Sequence, residues 1–230
     1  MKEVNSYGWK AVIGSSIGYA MDGFDLLILG FMLTLISGDL GLTTGQAGSL
    51  VTWTLVGAVI GGFIFGTLSD KFGRVRVLTW TIVLFAVFTG LCAFAQGYWD
   101  LLIYRTIAGI GLGGEFGIGM ALAAEAWPAQ HRAKATSYVA IGWQLGVLAA
   151  ALLTPVLIPY IGWRGMFMVG IIPAFVAWFF RAKLHEPEIF VQSKEIKEHS
   201  HTNSFKLLVK DARTTKTSIG VAILTSVQNF

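Results

Sequence analysis

The chain has 230 residues, 54% of them hydrophobic and only 13% charged, with a mean hydropathy of +0.65. A soluble domain carries roughly 25% charge, and a core of this size cannot bury so much apolar surface in water, so lipid is the expected solvent for most of the chain. A net charge of +4 and a sequence pI near 9.2 would point a soluble protein towards nucleic acid; here the placement of charge outweighs its sum, and no nucleic-acid partner is expected.

A helix crossing the hydrocarbon core takes about 20 mostly apolar residues. In chain order such spans fall at 11–37, 47–68, 77–96, 100–124, 136–159 and 165–182. The first follows Lys2 and Lys10, is long enough to span and lacks a small-residue cleavage site, so it reads as a span and not as a signal peptide. The stretch 183–217 is a charged linker, and 218–230 is apolar but too short to cross. The expected fold class is an all-α membrane protein, a six-helix bundle followed by the start of a seventh helix. The single cysteine, Cys92, sits in an apolar run and is expected to be a small buried packing residue.

Lys and Arg in short loops set the orientation of such a bundle. Fifteen of the 17 lie at the N-terminus, in the loops after the second and fourth spans and in the linker. Arg164 alone falls on the opposite side, and Arg105 lies inside a span. This asymmetry places the N-terminus and the even-numbered loops in the cytoplasm, in a multi-pass protein of the cell membrane. It also supports the span count, because one missed helix would scramble the alternation.

Charges inside spans are costly and usually mark function. Four stand out: Asp22 and Asp25 in the first span, Arg105 and Glu115 in the fourth. Asp22 and Asp25 share a helix face, which Tyr19 and Ser15 extend towards the cytoplasm. At 1.5 Å per residue the two aspartates lie roughly 16–21 Å from the inner end of their helix. Arg105 lies about 8 Å below the outer surface, and Glu115 about 15 Å deeper. Asp25 and Arg105 therefore share a level, as do Asp22 and Glu115, provided the two helices are neighbours. Paired charges can also serve simply to hold helices together; four in two spans favour a polar cavity.

The stretch Gly109-Ile110-Gly111-Leu112-Gly113-Gly114 matches the dinucleotide pattern GxGxxG on paper. No strand precedes it, and it lies within an apolar run of membrane length, so no nucleotide cofactor is expected. Small residues there let helix backbones approach closely, and Gly57, Gly61, Gly66, Gly142 and Gly146 read the same way. His131, His185, His199 and His201 lie in loops or the linker without metal-ligand spacing, and no metal site is expected. No nucleophile and base pair up within the spans, which argues against an enzyme.

The loop between spans two and three reads Gly66-Thr67-Leu68-Ser69-Asp70-Lys71-Phe72-Gly73-Arg74-Val75-Arg76. It resembles the signature G-x-L-a-D-r-x-G-R-[RK] of the major facilitator superfamily, with Lys71 where Arg is commoner. Three further stretches are similar to that family: Arg105-x-x-x-Gly109-x-Gly111, Glu125-Ala126-Trp127-Pro128 followed by Arg132, and Gly162-Trp163-Arg164. Within the family, Asp22-Gly23-Phe24-Asp25 is similar to the D-G-[FY]-D of metabolite:proton and aromatic acid:proton symporters. Glu115 and Glu125 resemble acids of the sialate:proton symporters, although Ala126 stands where those often have Ser.

The resemblance implies a twelve-span transporter of two six-span halves, with the substrate site near the midplane between them. This chain then holds the N-terminal half, the central linker and the start of helix seven, and its C-terminal half is a missing partner. Proton-coupled symport of a small organic acid by alternating access is the function implied. Asp22, Asp25 and Glu115 are the expected proton carriers, since a carboxylate in a low-dielectric cavity can exchange a proton at ordinary pH. Arg105, Tyr19 and Gln144 are the expected substrate and charge-relay groups, Arg105 by bidentate grip on a carboxylate. Gly66, Asp70, Gly73, Arg74, Glu125 and Arg132 form the expected cytoplasmic gate. Simple positive-inside anchoring explains the bases of that loop, but not its Gly73 turn or the acid Asp70. A transporter-derived membrane sensor is the alternative; it would need a signalling domain, which the sequence does not display.

Overall fold

The computed structural model describes residues 6–181 together with Glu186, Thr215 and Lys216. Lys2, the remainder of the 183–217 linker and the apolar stretch 218–230 lie outside the described residues. The five long helices fall in one compact unit, Met1–Glu188; of the second unit, Ile189–Phe230, only Thr215 and Lys216 are described, and both are helical.

Five long helices follow one another: α1 (Ser6–Leu40), α2 (Thr44–Phe72), α3 (Arg74–Cys92), α4 (Tyr98–Glu125) and α5 (Arg132–Arg181), with a 3₁₀ turn at Ala129–His131 before α5. Each is long and apolar enough to cross a membrane. The fifth is two crossings in one. Gly162 takes φ 64° and ψ −176°, outside the helical region, and a positive φ of this kind is readily available only to glycine. A methyl group on Gly142 or Gly146 would meet the carbonyls of Ser16 and Ala20, so the segment 132–161 ascends alongside α1. Beyond the break, Gly170 lies against Ile28 and Ala174 and Ala177 share a cluster with Met21, so the segment 163–181 descends past the same helix. At 1.5 Å per residue the two segments measure about 45 and 28 Å, each enough for one crossing. The described residues therefore hold six helical segments of membrane-crossing length, as the hydropathy predicts.

The ends differ from the expected spans for local reasons. α2 begins at Thr44, because Thr43 and Gln46 form a capping box: Gln46 N donates to Thr43 Oγ1 at 3.3 Å and Thr43 N to Gln46 Oε1 at 3.0 Å. α3 stops at Cys92 and not at 96, where the amides of Ala93, Phe94 and Ala95 bond back three residues and tighten the last turn.

Glycine sets the closest packing. Gly57 and Gly61 of α2 face Thr106 and Ile110 of α4, and Gly109 and Gly113 of α4 face Thr54 and Ala58 of α2. A methyl group at any of the four would sit within about 2.2 Å of a carbonyl oxygen across the interface. Gly66 is a correction: space is open around it, so it does not join this packing. Between them α1 and α4 carry the buried polar groups Ser15, Asp22, Asp25, Arg105 and Glu115. By contrast, α2 and the first part of α5 leave large apolar side chains such as Val59, Phe63, Leu145, Leu152 and Val156 exposed, a surface suited to lipid or to further helices.

Candidate functional site

The cluster buried between α1 and α4 rests on one ion pair. Arg105 donates from Nη1 to Asp25 Oδ1 at 3.0 Å and from Nη2 to Asp25 Oδ2 at 2.8 Å. Both side chains are sealed, at 0% and 1% exposure. The helical rise alone had matched their levels; the structure shows that the two faces also meet. Each partner needs the other, because an unpaired charge at this depth would keep its full desolvation penalty. The ring of Phe167 covers the guanidinium at 5.8 Å from its centroid. Cys92 is buried as expected; its thiol donates to the Phe88 carbonyl at 3.2 Å and lies close enough to Arg105 and Asp25 to interact with both.

Asp22 and Glu115 are buried as well, and both lie within electrostatic reach of the Tyr19 hydroxyl. That hydroxyl donates to the Phe116 carbonyl at 3.3 Å. The rings of Tyr19 and Phe116 meet edge to face at 5.1 Å, and Phe116 and Trp143 stand 5.3 Å apart. Gln144, next to Trp143, is exposed on α5 and enters no hydrogen bond of this cluster. Phe116, Trp143 and Phe167 were not singled out from the sequence; aromatic residues in apolar spans carry no mark that separates a site wall from ordinary packing.

The loop cluster forms around Arg74. Its Nη2 lies 2.8 Å from Asp70 Oδ1 and 3.2 Å from Glu125 Oε1, and its Nη1 donates to Ser69 Oγ at 2.6 Å. The expected residues Asp70, Arg74 and Glu125 thus come together. Arg132 does not: it is exposed at the first turn of α5, and no hydrogen bond or ion pair among the described residues joins it to the cluster. The 3₁₀ turn at Ala129–His131 carries the chain away between Glu125 and Arg132.

Glu186, a residue of the expected linker, completes this loop. Its Oε2 accepts from Arg74 N at 2.7 Å, and its Oε1 from Val75 N at 3.0 Å and Arg76 N at 3.2 Å. The carboxylate caps the N-terminus of α3, where free amides and the helix dipole favour negative charge. Gly73 makes room for it: with φ 112° a side chain would be strained there, and a methyl group would fall 2.4 Å from Glu186 Oε1. Burial together with Glu186 and Glu125 pushes the Tyr7 phenol, at the N-terminal end of α1, up to about 12. Nothing in the sequence points to Glu186, since its partners lie more than 100 positions earlier.

A bundle of six membrane-length helical segments with a sealed charge pair between two of them and a charged helix–loop cluster at one end defines a class. Residues 15–230 match the Major Facilitator Superfamily, and the chain belongs to that family. It is 75% identical to a putative metabolite transport protein of Haemophilus influenzae over 99% of its own length and 57% of the relative's. It is 41% identical to a probable 4-methylmuconolactone transporter of Cupriavidus pinatubonensis, covering 77% of the chain and 42% of that protein. With the sialic acid transporter of Escherichia coli it shares 33% identity over 84% of the chain and 48% of that protein. Among solved structures, the partially occluded inward-open xylose transporter XylE of E. coli superposes with a TM-score of 0.76 at 23% identity, over 84% of this chain and 52% of that one. The chain spans about half the length of the relatives it matches.

Proposed function

We propose that this chain forms the N-terminal half of a secondary active transporter that couples proton entry to symport of a small organic anion. The observation that carries this reading is the sealed, bidentate Arg105–Asp25 pair in an apolar bundle, with Asp22 and Glu115 buried on the same two helices. A guanidinium held by a carboxylate can pass to the carboxylate of a substrate when its own partner takes up a proton. Proton binding and substrate binding then favour each other at one residue. Relatives named for 4-methylmuconolactone, sialic acid and cis,cis-muconate support an organic acid or its lactone as cargo. The Asp70–Arg74–Glu125 cluster acts as the latch on the cytoplasmic side, opening as the halves rock about the site. The proposed setting is the cell membrane with the N-terminus in the cytoplasm, and the working protein includes a second six-span half.

The test is to fuse the chain to the C-terminal remainder of the Haemophilus influenzae relative and assay it in proteoliposomes. Labelled sialate, muconate and 4-hydroxybenzoate are offered with and without an inward proton gradient. Gradient-driven uptake of at least one is expected, with Asp25→Asn and Arg105→Gln each abolishing the response to the gradient. Variants that keep the parent's pH-dependent uptake would remove the coupling assignment.

A further inference from the structure

The Gly162-Trp163-Arg164 motif takes no part in the site described so far, yet its side chains are tied to it. Arg164 donates from Nη1 to Asp39 Oδ2 at the outer end of α1, and from Nη2 to the carbonyl of Ala95 just after α3 at 3.2 Å. Trp163 Nε1 donates to the same Asp39 oxygen at 3.1 Å. The Arg164 guanidinium also lies over the Trp163 ring, 4.1 Å from its centroid. Three segments of chain, from α1, the α3 end and the descending part of α5, are therefore stitched at one point. These bonds, with the Arg164 ion pair, hold the Asp39 carboxyl below its usual range.

The stitch reaches inwards through two rings. Trp163 is 5% exposed and stands perpendicular to Phe167, with centroids 6.1 Å apart. Phe167, wholly buried one turn further on, is the ring that covers Arg105. A cation in a dry site is held both by its counter-ion and by the face of a ring. The counter-ion, Asp25, stands on α1; the ring stands on the descending part of α5, one turn from the outer stitch and in contact with Trp163.

We infer that Asp39 and Arg164 are positioning residues for the buried Arg105–Asp25 pair, acting through Trp163 and Phe167. The inference rests on the proposed role of Arg105 in holding a substrate carboxylate, and its test has one arm that does not. Cys92, the single cysteine of the chain, is sealed against Arg105 and reports how tightly that region is packed. In the detergent-solubilised chain, N-ethylmaleimide should label Cys92 slowly. Asp39→Asn should label several-fold faster at an unchanged thermal midpoint; Phe167→Leu should also label faster, with a lower midpoint because a wholly buried ring is trimmed. Arg164→Lys should behave like Asp39→Asn, because an ammonium cannot lie flat on Trp163 and bond two acceptors at once. Phe167→Tyr should retain slow labelling, since it keeps the ring over the cation.

In the fused transporter, Asp39→Asn and Arg164→Lys should raise KM for the carboxylate substrate several-fold while kcat stays near the parental value. Parental labelling in Asp39→Asn overturns the inference, and so does an unchanged KM where the parent fusion transports. A fall in the thermal midpoint of Asp39→Asn or Arg164→Lys that accounts for the faster labelling overturns it too, because the stitch would then be structural only. If the parent fusion shows no proton-driven uptake, the symport reading fails and the labelling arm alone decides the inference.

Discussion

Arg105 shows how far a single residue can be read before its neighbours are known. Its charge inside an apolar span marks it, and the rise per residue gives its depth. Depth matched it to Asp25 and matched Glu115 to Asp22, and the first match is met by two hydrogen bonds. Rotation about the helix axis is not contained in depth, so the ring of Phe167 and the thiol of Cys92 came only with the folded chain. The pair's sealed state fixes its response to substitution. Asp25→Asn leaves a buried guanidinium without its counter-charge and should destabilise the protein by about 3–5 kcal/mol, read as thermal unfolding in detergent. Adding Arg105→Met to that variant should recover part of the loss, because no unpaired charge then remains. A double variant less stable than Asp25→Asn alone would show that packing around the guanidinium outweighs its charge.

Helices meet where their side chains are absent. The spacing of Gly57 and Gly61, and of Gly109 and Gly113, was legible as a packing signal, and the two sets prove to face each other. Gly66 carried the same signal and faces open space, although Phe65 and Leu68 on either side of it pack in one cluster with Ile118 and Leu122 of α4. Spacing reports that a face is smooth, not that a neighbour reaches it. Gly113→Ala would push a methyl group to 1.7 Å from the Ala58 carbonyl and force the helices apart. A loss of about 1–3 kcal/mol is expected by thermal unfolding. Gly48→Ala, with nothing within 4 Å, should leave the midpoint unchanged or slightly raised. The α3 N-terminus makes the opposite point. Its cap, Glu186, lies after the last described crossing, and helix-end chemistry alone says only that some acid belongs there.

At the scale of the whole molecule, the lopsided distribution of Lys and Arg makes a claim about sides. Trp99 lies on the expected outer side and is 69% exposed, and Arg132 is exposed on the expected inner side. In intact cells, a membrane-impermeant thiol reagent should label Trp99→Cys at once. Arg132→Cys should label only after the membrane is opened, with the sealed Cys92 as a silent background. The reverse pattern would invert the bundle and place the Asp70–Arg74–Glu125 latch outside. Hydropathy, charge placement and rise per residue determined the class, the number of membrane-length segments, the shared level of Asp25 and Arg105, and the expected sides. These are properties of one helix at a time, set by transfer of side chains into lipid and by helical geometry. Which faces meet was decided only by tertiary structure. Spans apolar on every side carry no stripe to show where a neighbour sits. The covering of Arg105 by Phe167, the capping of α3 by Glu186 and the outer stitch at Asp39 all join residues far apart in the chain, through contacts that exist only once the helices have packed.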